Sequence, residues 1–81
     1  MKRIVFSDDA HSDIRAIPRQ IAMSILAAIH RFAESGAGDV KMLKGNEAEN
    51  RLRVGDFRVR FTETGEEIHI QAVKNRKDAY R

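Results

Sequence analysis

Apolar positions recur along this chain with two different periods, and the change of period divides it. From Ile14 to Ala33 they return every three or four residues: Ile14, Ile17, Ile21, Ile25, Ala28 and Phe32 form one row, and Ala22, Leu26, Ile29 and Ala33 a parallel one. That spacing lines one wide side of an α-helix. Pro18 interrupts the pattern, because it lacks an amide donor and pushes the preceding residue towards extended geometry. The pattern therefore predicts two consecutive helices, about 8–16 and 18–34. Ser7 can cap the first, with Asp8 and Asp9 where the helix dipole favours carboxylates. Gly36 and Gly38 supply the end of the second. Ahead of both, Lys2 to Phe6 reads as a short β-branched and aromatic strand.

From residue 51 the period becomes two. Gly55-Asp56 makes a two-residue hairpin turn, which sets Val54 against Phe57, Leu52 against Val59 and Asn50 against Phe61. A second turn at Gly65 leads into Glu67 to Val73, where Ile68, Ile70 and Ala72 continue the apolar face. Asp39 to Asn50 reads as a loop. The expected fold class is α+β: an N-terminal strand and a two-helix hairpin packed on a three- to four-stranded antiparallel sheet, in one domain covering residues 1–81.

Composition narrows the function classes. The chain has 81 residues, 42% of them apolar, with a formal charge of +3. Residues 1–50 carry seven basic and seven acidic side chains, whereas residues 51–81 carry eight basic and five acidic, so the whole excess lies in the last 31 residues. The longest uncharged run, Gln20 to His30, falls far short of the roughly 20 apolar residues that cross a bilayer. No hydrophobic secretory region follows Met1-Lys2-Arg3. Without cysteine there is no disulfide framework or thiolate metal site. A chain this short buries only about 60 to 65% of its unfolded surface, which favours a stabilising partner.

The hairpin that aligns the apolar residues also fixes its other face. Arg53 is set against Arg58 and Arg51 against Arg60, so four guanidinium groups share one surface. Like charges directly across strands destabilise a sheet. Their presence points to an anion in the functional state, either a phosphate backbone or acidic side chains. Lys74, Arg76, Lys77 and Arg81 follow and widen the basic region. Solvated surface charge, offset by Glu63, Glu66, Glu67 and Asp78, is the alternative.

The run Arg51-Leu52-Arg53-Val54-Gly55-Asp56-Phe57-Arg58-Val59, the Ile-x-Ile strand, the segment Val40-Lys41-Met42-Leu43-Lys44-Gly45 and the closing Arg76-Lys77-Asp78-Ala79-Tyr80-Arg81 resemble the RelE/ParE superfamily of bacterial type II toxin-antitoxin toxins. The resemblance spans the chain and implies a RelE-like, microbial ribonuclease-type fold. It also implies a cytoplasmic toxin neutralised by a cognate antitoxin protein. The RelE branch cuts mRNA on the ribosome; the ParE branch poisons DNA gyrase. On the RelE pattern Arg58 is the strand arginine that stabilises the reacting phosphate, Arg76 matches the C-terminal arginine, and Tyr80 the tyrosine that assists the 2′-hydroxyl. Lys41 and Lys44 fall near the branch's functional lysines. Asn75 stands where many relatives carry histidine and cannot act as acid or base, which leaves an attenuated, antitoxin-binding member without nuclease activity as a third reading. No membrane and no cofactor is implied.

His11 and His30 belong to the helices and read as surface or partly buried residues. His69 alternates onto the arginine face near Arg58 or Arg60, where a structural hydrogen bond or simple exposure is expected ahead of proton transfer. No histidine and carboxylate spacing resembles a metal site.

Overall fold

The computed structural model describes residues 2–42 and 49–75. Its elements follow in the order β1 (Arg3–Phe6), α1 (Asp8–Arg15), α2 (Arg19–Ser35), β2 (Asp39–Met42), β3 (Glu49–Val54), β4 (Phe57–Glu63) and β5 (Glu67–Asn75). The five strands form one sheet in the order β1-β5-β4-β3-β2. The expected α+β architecture is present, with two differences. β1 joins parallel to β5, with Ile4 against Ile68, so the sheet is mixed. The segment expected as a loop also opens with a strand: Val40 pairs with Leu52 and Met42 with Asn50 along the outer edge of β3. Four residues, an alternation too short to mark a strand by itself, are ordered there because that edge offers amides and carbonyls to pair with.

The helices cover one face of the sheet. Ile25, Ile29 and Ala33 of α2 are buried in one cluster with Leu52, Val59, Phe61, Ile68 and Ile70, and Ala22 is buried as well. Phe32 and Phe61 pack as a tilted pair with ring centroids 5.2 Å apart. Burying Phe61, Ile25, Ile29 or Ile70 contributes about 2 kcal/mol each relative to exposure. The apolar side of α2 is narrower than its sequence promised: Ile21 and Met23 are 41% and 59% exposed. Pro18 serves as the N-cap residue and lies one position outside the helix it was expected to open.

Local chemistry sets the ends. The Ser7 hydroxyl accepts from the Ala10 amide at 3.1 Å, with Asp8 and Asp9 in the first turn, as expected of a capped α1. Gly55 takes φ 59° in the β3–β4 turn, a conformation that costs glycine little. That turn produces the anticipated pairs Val54 with Phe57, Leu52 with Val59 and Asn50 with Phe61. β1 accompanies β5 only as far as Ile70, and α1 takes over the exposed edge beyond it. Ser7 N donates to Ile70 O at 2.9 Å, its hydroxyl donates to Gln71 O at 3.0 Å, and the Asp13 carboxylate accepts from Val73 N at 2.9 Å.

Candidate functional site

The face of the sheet turned away from the helices carries the basic residues in rows. Arg53 of β3 lies opposite Arg58 of β4, and Arg58 opposite Lys74 of β5. Neighbouring strands lie about 5 Å apart, so this row crosses roughly 10 Å of surface. In the adjacent row Arg51 lies opposite Arg60, and on the outer side Lys41 of β2 is paired with Arg51 and Asp39 with Arg53. Arg51 and Arg58 are half-buried; Arg53 and Arg60 are exposed. Fixed guanidinium groups at this spacing suit phosphate or carboxylate oxygens.

An irregularity in β5 completes the first row. Phe61 pairs with Ile70 but Arg60 pairs with Ala72, so Gln71 is an extra residue without an opposite number. A bulge of this kind reverses the alternation beyond it. The expected pattern of Ile68, Ile70 and Ala72 on the helix face therefore stops at Ile70: Val73 takes the core position against Val59, and Ala72 moves to the arginine face. Without the extra residue the register would set Lys74 against Phe57 and point it into the helices. With it, Lys74 stands beside Arg58. The Lys74 ammonium also reaches the Asp13 carboxylate at 2.9 Å, a partner from α1 that sequence spacing gave no means to find.

A second group occupies the other end of the same face. Arg3 holds Glu67 through Nη2 at 2.7 Å and Nε at 3.0 Å, and the other Glu67 oxygen meets His69 Nε2 at 3.1 Å. The Arg3 hydrogen bond keeps the Glu67 carboxyl below its ordinary pKa against a smaller opposing effect of desolvation, and the His69 contact adds a lesser lowering. His69 thus has the structural hydrogen bond expected of it, opposite Thr62. It shares with Arg60 a cavity of about 340 Å³ between the end of β1 and the bulge.

Among the residues proposed from sequence, the structure brings Arg51, Arg53, Arg58, Arg60 and Lys74 onto one face. Lys41 is placed by its backbone in β2. Lys44, Arg76, Lys77, Tyr80 and Arg81 lie outside the described residues. No helix among the described residues is long and apolar enough to cross a membrane.

Comparison with known proteins follows the same outline. The chain is similar to a toxin solved in the RelB-RelE antitoxin-toxin complex of Methanococcus jannaschii, with 26% identity, 94% of each chain covered and a TM-score of 0.79. It shares its fold with a chain of the archaeal RelE-RelB complex from Pyrococcus horikoshii, at 20% identity over 93% of this chain and 94% of that one, TM-score 0.78. The same holds for the toxin-antitoxin complex RelBE2 of Mycobacterium tuberculosis, at 17% identity over 91% and 96% of the two chains, TM-score 0.80. None of the curated proteins matches at the level of sequence. The model of the ParE toxin family of type II toxin-antitoxin systems matches residues 4–80. With that match over nearly its whole length, and with the two-helix, mixed-sheet fold of the RelE complexes, the chain belongs to the ParE toxin family and is a toxin of a type II toxin-antitoxin system.

Proposed function

We propose that this toxin is a cytoplasmic inhibitor of translation that cuts ribosome-bound mRNA through its arginine face. The observation that carries this reading is the Arg53, Arg58 and Lys74 row with Arg51 and Arg60 beside it, on the side of the sheet that the helices leave open. Cleavage by this chemistry has the ribose 2′-oxygen attack the neighbouring phosphorus. The O2′–P bond forms as the P–O5′ bond breaks, leaving a 2′,3′-cyclic phosphate and a 5′-hydroxyl. Charge gathers on the pentacovalent phosphate, where preorganised cations are most effective. Arg58, half-buried between two basic neighbours, is the candidate for that role. Arg76 and Tyr80 are assigned, from the resemblance, to phosphate binding and to the 2′-hydroxyl proton, with Lys41 and Lys44 assisting. Arg51, Arg53, Arg60, Lys74, Lys77 and Arg81 form the surrounding RNA-binding surface.

The partner is a cognate antitoxin, as in the RelB-RelE complexes that this chain resembles. Acidic side chains of such a segment would neutralise the same face, so its affinity should fall as salt rises. A second reading, inhibition of DNA gyrase, is favoured by the match to the ParE family. Primer extension on translated mRNA after induction separates the two. Cuts that disappear with Arg58→Ala at equal expression support the nuclease; intact mRNA together with blocked gyrase supercoiling overturns it in favour of the gyrase reading.

A further inference from the structure

The cavity beside His69 has more structure than a phosphate-binding surface requires. Val5, which is 36% exposed and lies beside His69, gives it an apolar side chain, and Arg60, His69, Gln71 and Asp9 bring polar groups to it. Its volume of about 340 Å³ is within the range of small-molecule sites. Two observations show that the polar groups are placed. The bulge that leaves Gln71 without an opposite residue lies at the cavity, and the Gln71 amide is directed to the Thr62 hydroxyl at 3.4 Å. The His69 ring is oriented by Glu67, which Arg3 holds in turn. An ionised Glu67 accepts at Nε2, so in the neutral ring Nδ1 keeps its lone pair for another donor.

The arrangement runs on from the arginine rows. Arg60 lines the cavity and also pairs with Arg51, and Arg58 lies two residues, about 7 Å, along the same strand. A single RNA strand lying along β4 would place one phosphate at Arg58 and the next at Arg60. Its nucleoside would then fall into the cavity. We propose that this cavity is a nucleotide subsite, which takes one nucleoside 5′-monophosphate unit with its phosphate on Arg60, its base against Val5, and its polar edges on His69, Gln71 and Asp9. The inference rests on the reading of the arginine face as an RNA surface and adds to it a position at which one base is held. An apolar side chain, a cation and hydrogen-bonding groups together match a nucleotide better than an acidic peptide, which would leave Val5 and the oriented imidazole without a counterpart.

The test is a titration of the full-length chain, followed by NMR of the His69 imidazole, with uridine 5′-monophosphate, with uridine and with inorganic phosphate. The nucleotide should shift the His69 signals saturably and bind roughly tenfold tighter than either fragment, the size of one good hydrogen bond to a charged group. Gln71→Ala should weaken it by a similar factor, and Val5→Trp, which fills the cavity from an exposed strand position, should abolish it while the backbone amide spectrum stays folded. An unperturbed His69, equal affinity for nucleotide and a fragment, or unchanged binding by both variants overturns the proposal. The nucleotide carries no bond for the toxin to cut, so the outcome is independent of catalysis. Cleavage of mRNA without nucleotide binding removes this subsite alone, and binding without cleavage removes the nuclease reading alone.

Discussion

Asp13 and Lys74 meet at 2.9 Å across the boundary between α1 and β5, and the second Asp13 oxygen accepts from the Val73 amide at the same distance. The two halves of this contact differ in value. The Asp13 side chain is 15% exposed and completes the hydrogen bonding of a strand edge, whereas the Lys74 side chain is 54% exposed. Asp13→Ala should therefore cost about 2 kcal/mol, mostly from the stranded Val73 amide. Lys74→Met should cost less than about 1 kcal/mol. Urea denaturation of both variants checks this; equal losses would mean that the ion pair holds the helix.

The facing arginines predict a conflict between stability and binding. Replacing Arg53 by Thr removes an exposed cation opposite Arg58 and adds a β-branched residue to β3. Stability at low salt should rise by roughly 0.5 kcal/mol. Affinity for single-stranded RNA should fall, and the slope of log affinity against log salt should lose about one unit. Thermal unfolding and RNA titration at several salt concentrations measure both; a variant that loses stability contradicts the repulsion argument.

Gly38 ties the end of α2 to the core. Its φ of 154° disfavours other residues, and a methyl group there would sit 2.9 Å from Leu52 Cδ1, in a side chain only 2% exposed. Gly38→Ala should destabilise the fold by about 1 to 3 kcal/mol. Gly65→Ala meets nothing within 4 Å and should be close to neutral. Chemical denaturation of the pair tests whether that close approach, rather than loop stiffness, is responsible.

The Arg3, Glu67 and His69 group predicts a pH dependence. Glu67 is lowered from its ordinary pKa of 4.5 in the folded state, so its contribution is fully present above that value and is lost as pH falls through the lower folded pKa. Glu67→Gln should therefore melt below the wild type at about pH 6 to 7, and the gap should close on acidification. Melting curves across the acid range read this directly. A gap that persists at the acid end would show that packing, not charge, is lost.

Legibility of the chain followed the range of each interaction. The β3–β4 hairpin was readable to the residue because Gly55-Asp56 fixes its register locally, and so the facing pairs Arg53 with Arg58 and Arg51 with Arg60 were readable too. The cap at Ser7 is equally local. Ile21 and Ile25 look alike in sequence, yet one is exposed and the other buried, because burial depends on where the sheet lies under α2. β2 was missed because its order comes from the edge of β3.

Binary pattern, turn residues and charge placement by themselves determined the helices, the hairpin and the concentration of arginine on one face, since each acts over a few residues. Only the tertiary structure decided that β1 runs parallel to β5, that Gln71 is the extra residue that swings Lys74 round to Arg58, and that Asp13, Arg3 and Glu67 join partners sixty or more residues away. The physical reason is that a period-two pattern cannot announce where it slips by one residue. β1 and α1 meet β5 on either side of that slip, and contacts so distant in sequence leave no spacing to read.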